Sequence, residues 1–123
     1  MKITSFHPMI VSQHAEDVIA LFESIGFQRA HTKTNINDAG ITSVCLKNAD
    51  GFHVDVASSQ RVPKDIQMIR MNVDNFEEAY AYLVERGFQN AQGDRITDTG
   101  SAHATMMVSP SGFAINLVKH IKH

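Results

Sequence analysis

The sequence predicts an α+β fold of two tandem βαβββ modules, with curved mixed sheets around a shared cavity. Three observations predict it. Glu16–Ala30 returns as Glu77–Ala91 at an offset of 61, with Gly26-Phe27-Gln28 repeated as Gly87-Phe88-Gln89. Gly51-Phe52-His53-Val54-Asp55-Val56 returns as Gly112-Phe113-Ala114-Ile115-Asn116-Leu117 at the same offset. Between them, Asp38 and Gly40 match Asp98 and Gly100 at an offset of 60. A repeat of this length exceeds the roughly 20–50 residues of a solenoid unit. Two copies therefore fill one domain, 1–123, with module one at about 1–57, a linker at about 58–65 and module two at about 66–123.

Each element follows from local pattern. A strand, Ile3 to Ser12, opens module one. A helix runs from about Ala15 to Ile25, because Val18, Ile19, Phe22 and Ile25 recur at helical spacing while Glu16, Asp17 and Glu23 fall outside that stripe. Gly26 stands where a left-handed cap is wanted. Strands follow near Phe27–Thr34, Ile41–Lys47 and Phe52–Ala57, the last two joined by the tight-turn signal Asp50-Gly51. Module two repeats the order. Its strand is Gln67–Val73, and its helix is about Phe76 to Arg86, entered through Asn75 and Glu78 in a capping-box layout and closed by Gly87. Strands near Phe88–Ile96, Ala102–Val108 and Phe113–Lys119 complete it, with Pro110-Ser111-Gly112 turning the last hairpin. Ser58 to Asp65 is polar and contains Pro63, as a linker should.

Composition narrows the function. At 43% hydrophobic, 20% charged and a net charge of −2, the chain is ordinary for a globular domain and carries no basic stripe, so nucleic acid is not an expected partner. One cysteine excludes an internal disulfide and fits a cytoplasmic location. No apolar run reaches the roughly 18 residues of a membrane span, so no membrane association is expected. The N-terminal segment lacks the apolar stretch of a secretory signal.

Strand alternation assigns faces. Phe52, Val54 and Val56 form an apolar row for the helix, as do Ile69, Met71 and Val73, and Phe113, Ile115 and Leu117. The opposite faces then carry His53, Asp55 and Ala57; Met68, Arg70 and Asn72; and Ala114, Asn116 and Val118. The offset of 61 pairs His7 with Met68 and Met9 with Arg70. The expected lining includes His7, Met9, Val11, His53, Asp55, Met68, Arg70, Asn72, Ala114 and Asn116. Cys45 reads as a small core side chain, and His103 as a surface or rim residue.

Two βαβββ modules, a Gly-Phe corner after each helix and a strand-initial His7 resemble the vicinal oxygen chelate superfamily. That group includes glyoxalase I, extradiol dioxygenases and bleomycin-resistance proteins. The resemblance spans the whole chain. In metal-dependent members it implies ligands at His7, Asp55, Met68 and Asn116. His7 is the usual histidine and Asp55 is a shortened carboxylate. Met68 replaces a usual His or Gln, and Asn116 a usual Glu. A thioether is a poor ligand for zinc, nickel, iron or manganese, and an amide cannot act as a base. The implied lyase apparatus is therefore dismantled, and no cofactor is expected. His53, two residues before Asp55 and about 6.5–7 Å along the strand, leaves one off-pattern metal set open: His7, Asp55 and His53.

Several readings stay open residue by residue. His7 is a strand histidine bonded to Asp55 or water, a ligand contact, or a metal ligand. Arg70 pairs with Asp55, binds an anion, or is solvated. The sequence favours a metal-independent small-molecule-binding protein, contacting its ligand through His7, Met9, His53, Asp55, Met68, Arg70 and Asn116. That ligand would be small and partly apolar, with an anionic group as an option. The alternative is a divalent-metal-dependent lyase, isomerase or dioxygenase using His7 and Asp55. A third reading is a structural or regulatory dimer with a filled cavity. A homodimer is expected in each case, since open sheet edges invite pairing.

Overall fold

Each helix ends in the same way, and that ending explains the repeated Gly-Phe. After α1 (Ala15–Ser24), the Gly26 N–H donates to the Glu23 carbonyl and the Phe27 N–H to the Phe22 carbonyl. After α2 (Phe76–Glu85), Gly87 donates to Val84 and Phe88 to Leu83. This bonding requires a left-handed residue, supplied by Gly26 at φ 106° and Gly87 at φ 90°. It also brings the following Phe back onto the last turn. Phe22 and Phe27 meet edge to face at 5.6 Å.

The computed structural model describes residues 1–36, 41–98 and 102–120. The correspondences expected at Asp38, Gly40 and Gly100 lie outside the described residues, as does His123. Two compact units divide the chain: His7–Gln67, and Met1–Phe6 with Met68–His123.

In the first unit, β1 (Ile3–Ser12) contributes its residues from His7 onward and leads into α1. The strands β2 (Gln28–Ile36), β3 (Ile41–Lys47) and β4 (His53–Ser58) follow. The order is β2-β3-β4-β1, antiparallel until the last pair, which is parallel. Ala15 and Ile19 pack on Val44, Leu46, Val54 and Val56. Leu46 and Val56 are wholly buried, and full burial of each such side chain is worth about 1.5–3 kcal/mol.

The second unit repeats this with β5 (Ile66–Val73), α2, β6 (Gln89–Asn90), β7 (Thr97–Asp98), β8 (Ala102–Val108) and β9 (Ala114–His120). Its order is β5-β9-β8-β6, with β7 also on β8. Met71, Val73, Ala79, Leu83, Met107 and Leu117 are in its core.

Each unit also takes up the start of the other module's first strand. The Asp74 carboxylate accepts from the Lys2 N–H at 2.6 Å, the Lys2 carbonyl accepts from the Asp74 N–H at 3.0 Å, and the N-terminal ammonium meets Glu78. At the corresponding place in the first unit, the Gln13 side chain donates to the Val62 carbonyl at 2.6 Å. The Lys2 hydrogen bond holds the Asp74 carboxyl below its ordinary value.

Two expectations need correction. Phe52 and Phe113 were assigned to the helix-facing rows, yet they are 67% and 53% exposed. Both close turns instead of opening strands: the Asn48 side chain accepts from the Phe52 N–H, and the Ser109 hydroxyl from the Phe113 N–H. The strand expected at Phe88–Ile96 is reduced to the two residues of β6, and a turn then leads to β7 beyond that span. There the Asn90 side chain captures the Gln92 N–H and donates to the Arg95 carbonyl, and Gly93 takes φ 73°. Asn side chains that bond nearby backbone compete with a ladder in this way.

Candidate functional site

In the first unit, Val54 and Val56 point to α1, so His53, Asp55 and Ala57 occupy the other face of β4. The parallel β1/β4 register sets Met9 beside Asp55 and Val11 beside Ala57. His7 and His53 lie one two-residue step earlier on the same face. Their rings stack with centroids 5.5 Å apart at 28°. His7 Nε2 stands 3.0 Å from Asp55 Oδ1, with side-chain exposures of 10% and 2%. The approach lacks hydrogen-bond alignment, so among the described residues His7 Nε2 has no hydrogen-bond partner despite its burial. Four of the expected site residues, His7, Met9, His53 and Asp55, thus share one face of one sheet.

Cys45 joins them, contrary to expectation. A two-residue turn at Asp50-Gly51 would set Cys45 opposite Val56, facing the helix. The turn is longer: Asn48 and Phe52 bond across it, Asp50 and Gly51 both bond back to Asn48, and Cys45 falls opposite Asp55. A one-residue change of register moves a side chain to the other face. Cys45 is therefore half-buried away from α1, with Sγ 3.8 Å from His53 Nδ1. His31 of β2 is its cross-strand neighbour on the opposite side from Asp55. The length of the turn was the missing signal.

In the second unit, Met71, Val73, Ile115 and Leu117 belong to the core beneath α2. Met68, Arg70 and Asn72 therefore share the other face with Ala114 and Asn116. Arg70 lies beside Asn116 in the parallel β5/β9 register, and Met106 beside Asn116 across β8/β9. Arg70 is half-buried and its Nε donates to Asn72 Oδ1 at 3.4 Å. Met68 is buried. His103, expected at the surface or rim, is partly exposed, with Nε2 3.5 Å from Asp98.

The residues at the metal-ligand positions do not fit a divalent cation. Met68 and Asn116 offer a thioether and an amide, and among the described residues no three of His, Cys, Asp and Glu are placed to hold a metal. A concavity of about 380 Å³ lies at the start of α1, between Gln13, Glu16, Thr42 and Ser58, and takes in none of the expected site residues. Among the described residues, no helix is long and apolar enough to cross a membrane.

No family model matches the chain, and no curated protein matches it. Solved structures do. A methylmalonyl-CoA epimerase is similar at TM-score 0.70 and 19% identity over 94% of this chain and 94% of its own. The methylmalonyl-CoA epimerase of Mycobacterium tuberculosis is similar at 0.74 and 15%, over 98% and 90%. A glyoxalase/bleomycin resistance protein/dioxygenase superfamily member from Vibrio splendidus 12B01 is similar at 0.62 and 15%, over 96% and 99%. The chain has the vicinal oxygen chelate fold, as the residues resembling it implied.

Proposed function

We propose that the protein binds a small, partly apolar ligand without a metal, through His7, Met9, His53 and Asp55 of the first unit. Separately, on the second unit, Arg70 and Asn116, with Met68 on the same face, offer charge and hydrogen bonds to an anion. The observation that carries this reading is His7: a nine-tenths-buried imidazole whose Nε2 makes no aligned hydrogen bond to the described residues, set among Met9, His53 and Asp55. Burying a polar atom without a good partner costs free energy, and a ligand oxygen would recover it. Among similar structures, a Streptomyces coelicolor methylmalonyl-CoA epimerase is in complex with 2-nitronate-propionyl-CoA, which supports placing an acyl-CoA among the probes.

The test is a thermal-shift screen of small carboxylates, phosphonates and propionyl-CoA. Ligands that bind only the folded chain raise the melting temperature. Hits should weaken in His7→Ala or, for an anion held by the second unit, in Arg70→Ala, and hits unchanged in both variants would refute the assignment. Calorimetric titration with Zn²⁺, Ni²⁺, Mn²⁺ and Fe²⁺ should show no tight site that disappears in His7→Ala. A stoichiometric, His7-dependent site would refute the metal-free reading and favour the metal-dependent enzyme with His7 and Asp55 as ligands. The same reading includes a homodimer in the cytoplasm, and light scattering that returns the 13.6 kDa chain mass at micromolar concentration would rule the dimer out.

A further inference from the structure

Cys45, His53, His7 and Asp55 form a contiguous set of titratable groups on three neighbouring strands of the first unit. The sulfur lies 3.8 Å from His53 Nδ1, the His53 ring stacks on His7, and His7 lies against Asp55. A thiol beside an imidazole is the arrangement that yields a nucleophilic thiolate, provided that it is accessible. Cys45 and His53 are each only partly buried. The nine-tenths-buried His7, whose Nε2 makes no hydrogen bond to the described residues, supplies an independent polar group for a bound oxygen on the same face.

We propose that Cys45 is a nucleophile, with His53 as its base, that captures small α,β-unsaturated carbonyl compounds as thioethers. The S–H proton passes to His53 Nδ1. The sulfur then bonds to the β-carbon, and the π pair moves to an enolate, whose oxygen His7 is placed to meet. The imidazolium returns its proton to the α-carbon. The net change is addition of S–H across C=C, with no leaving group and no oxidant. This class suits the site because sulfur is a soft nucleophile and the partly buried Met9 provides apolar surface on the same face. The charges around the sulfur act in both directions. Asp55, opposite on β4, opposes a thiolate, whereas His53, His31 on β2 and Lys47 opposite His53 favour one. This activity goes beyond reversible ligand binding and is read independently of it.

The chain has one cysteine, so intact mass counts the adduct without ambiguity. 2-Cyclohexen-1-one and N-ethylmaleimide are the probes, with glutathione as the reference thiol. At pH 6.5 the protein should react about tenfold faster than glutathione, and His53→Gln should lose about tenfold of that rate. The variant's pH profile should return to that of an ordinary thiol, rising towards about pH 8.5. His7→Gln should lose less, and Cys45→Ser should take no label. Melting curves confirm that each variant is folded. If His53→Gln does not fold, the wild-type profile decides: a midpoint well below the ordinary thiol supports the pair, and one at or above it overturns it. A wild-type rate no faster than glutathione, or an unchanged rate in folded His53→Gln, also overturns the proposal. Neither result bears on the thermal-shift reading of ligand binding.

Discussion

At corresponding steps of the repeat, the first unit holds a titratable side chain where the second holds a neutral one: His7 against Met68, Cys45 against Met106, His53 against Ala114, Asp55 against Asn116. On the same faces, Met9 against Arg70 runs the other way. The parts that build the backbone stay matched. Both helices close on a left-handed glycine with the same two hydrogen bonds, and Asn48 and Ser109, also corresponding, each accept from the N–H of a turn-closing Phe. The difference teaches where a duplicated module is free to change. A lost cap or turn acceptor costs stability at once, whereas a residue on the face away from the helix carries neither duty.

Substitutions made in matched pairs can break that comparison or sharpen it. The largest effect is expected in the cores. Leu46→Ala and Met107→Ala, at corresponding and wholly buried positions, should each cost about 2–5 kcal/mol in denaturant unfolding. Costs that differ widely would show that the two cores are not equivalent. Next come the helix-closing glycines. Gly26→Ala and Gly87→Ala each force a side chain into positive φ, at about 1–3 kcal/mol. Gly87→Ala should be the worse of the two, because its Cβ would meet Pro110 Cγ at 2.8 Å whereas nothing lies within 4 Å at Gly26. Equal losses would dismiss the Pro110 contact.

Smaller effects are expected where the helices begin. Asn75 caps α2 by accepting from the Glu78 N–H, but His14 makes no side-chain cap on α1. Asn75→Ala should cost about 1 kcal/mol, whereas His14→Asn should gain a few tenths if the α1 backbone can adopt cap geometry. The smallest effect is pH-dependent. Asp74 has its pKa lowered by the Lys2 N–H, so its contribution is present above the ordinary carboxylate range and is lost as pH falls through the lowered value. Asp74→Asn should therefore weaken stability slightly at neutral pH and flatten the loss in acid. Gln13→Glu, at the matching position, should not reproduce that acid dependence, because the Gln13 amide donates to a carbonyl, and a carboxylate would face that carbonyl oxygen with no proton to give it. An identical acid profile would show that the exposed pair is too screened to matter.

Much of the fold was legible because it rests on local rules. The spacing of Val18, Ile19 and Phe22, and the glycine before Phe27, specify a helix and its end within a dozen residues. The alternation of Val54 and Val56 with His53 and Asp55 then identified a face before any partner strand was known. Legibility failed where a short polar side chain turned the backbone. Asn90 broke a strand that apolar pattern alone would continue, and Asn48 lengthened a turn whose Asp50-Gly51 signal suggested a tighter one.

The sequence by itself determined the duplication, the two helices with their closures and the rows of residues that turn away from them, because periodicity and left-handed glycines are properties of short segments. Only the tertiary structure decided which side chains from different strands meet. His7 reaching Asp55 depends on the parallel register of β1 on β4, and Cys45 reaching His53 depends on one extra residue in the turn before β4. Register is a non-local quantity: a single-residue slip leaves every local propensity unchanged while moving Cys45 from the core to the face that carries His53 and Asp55.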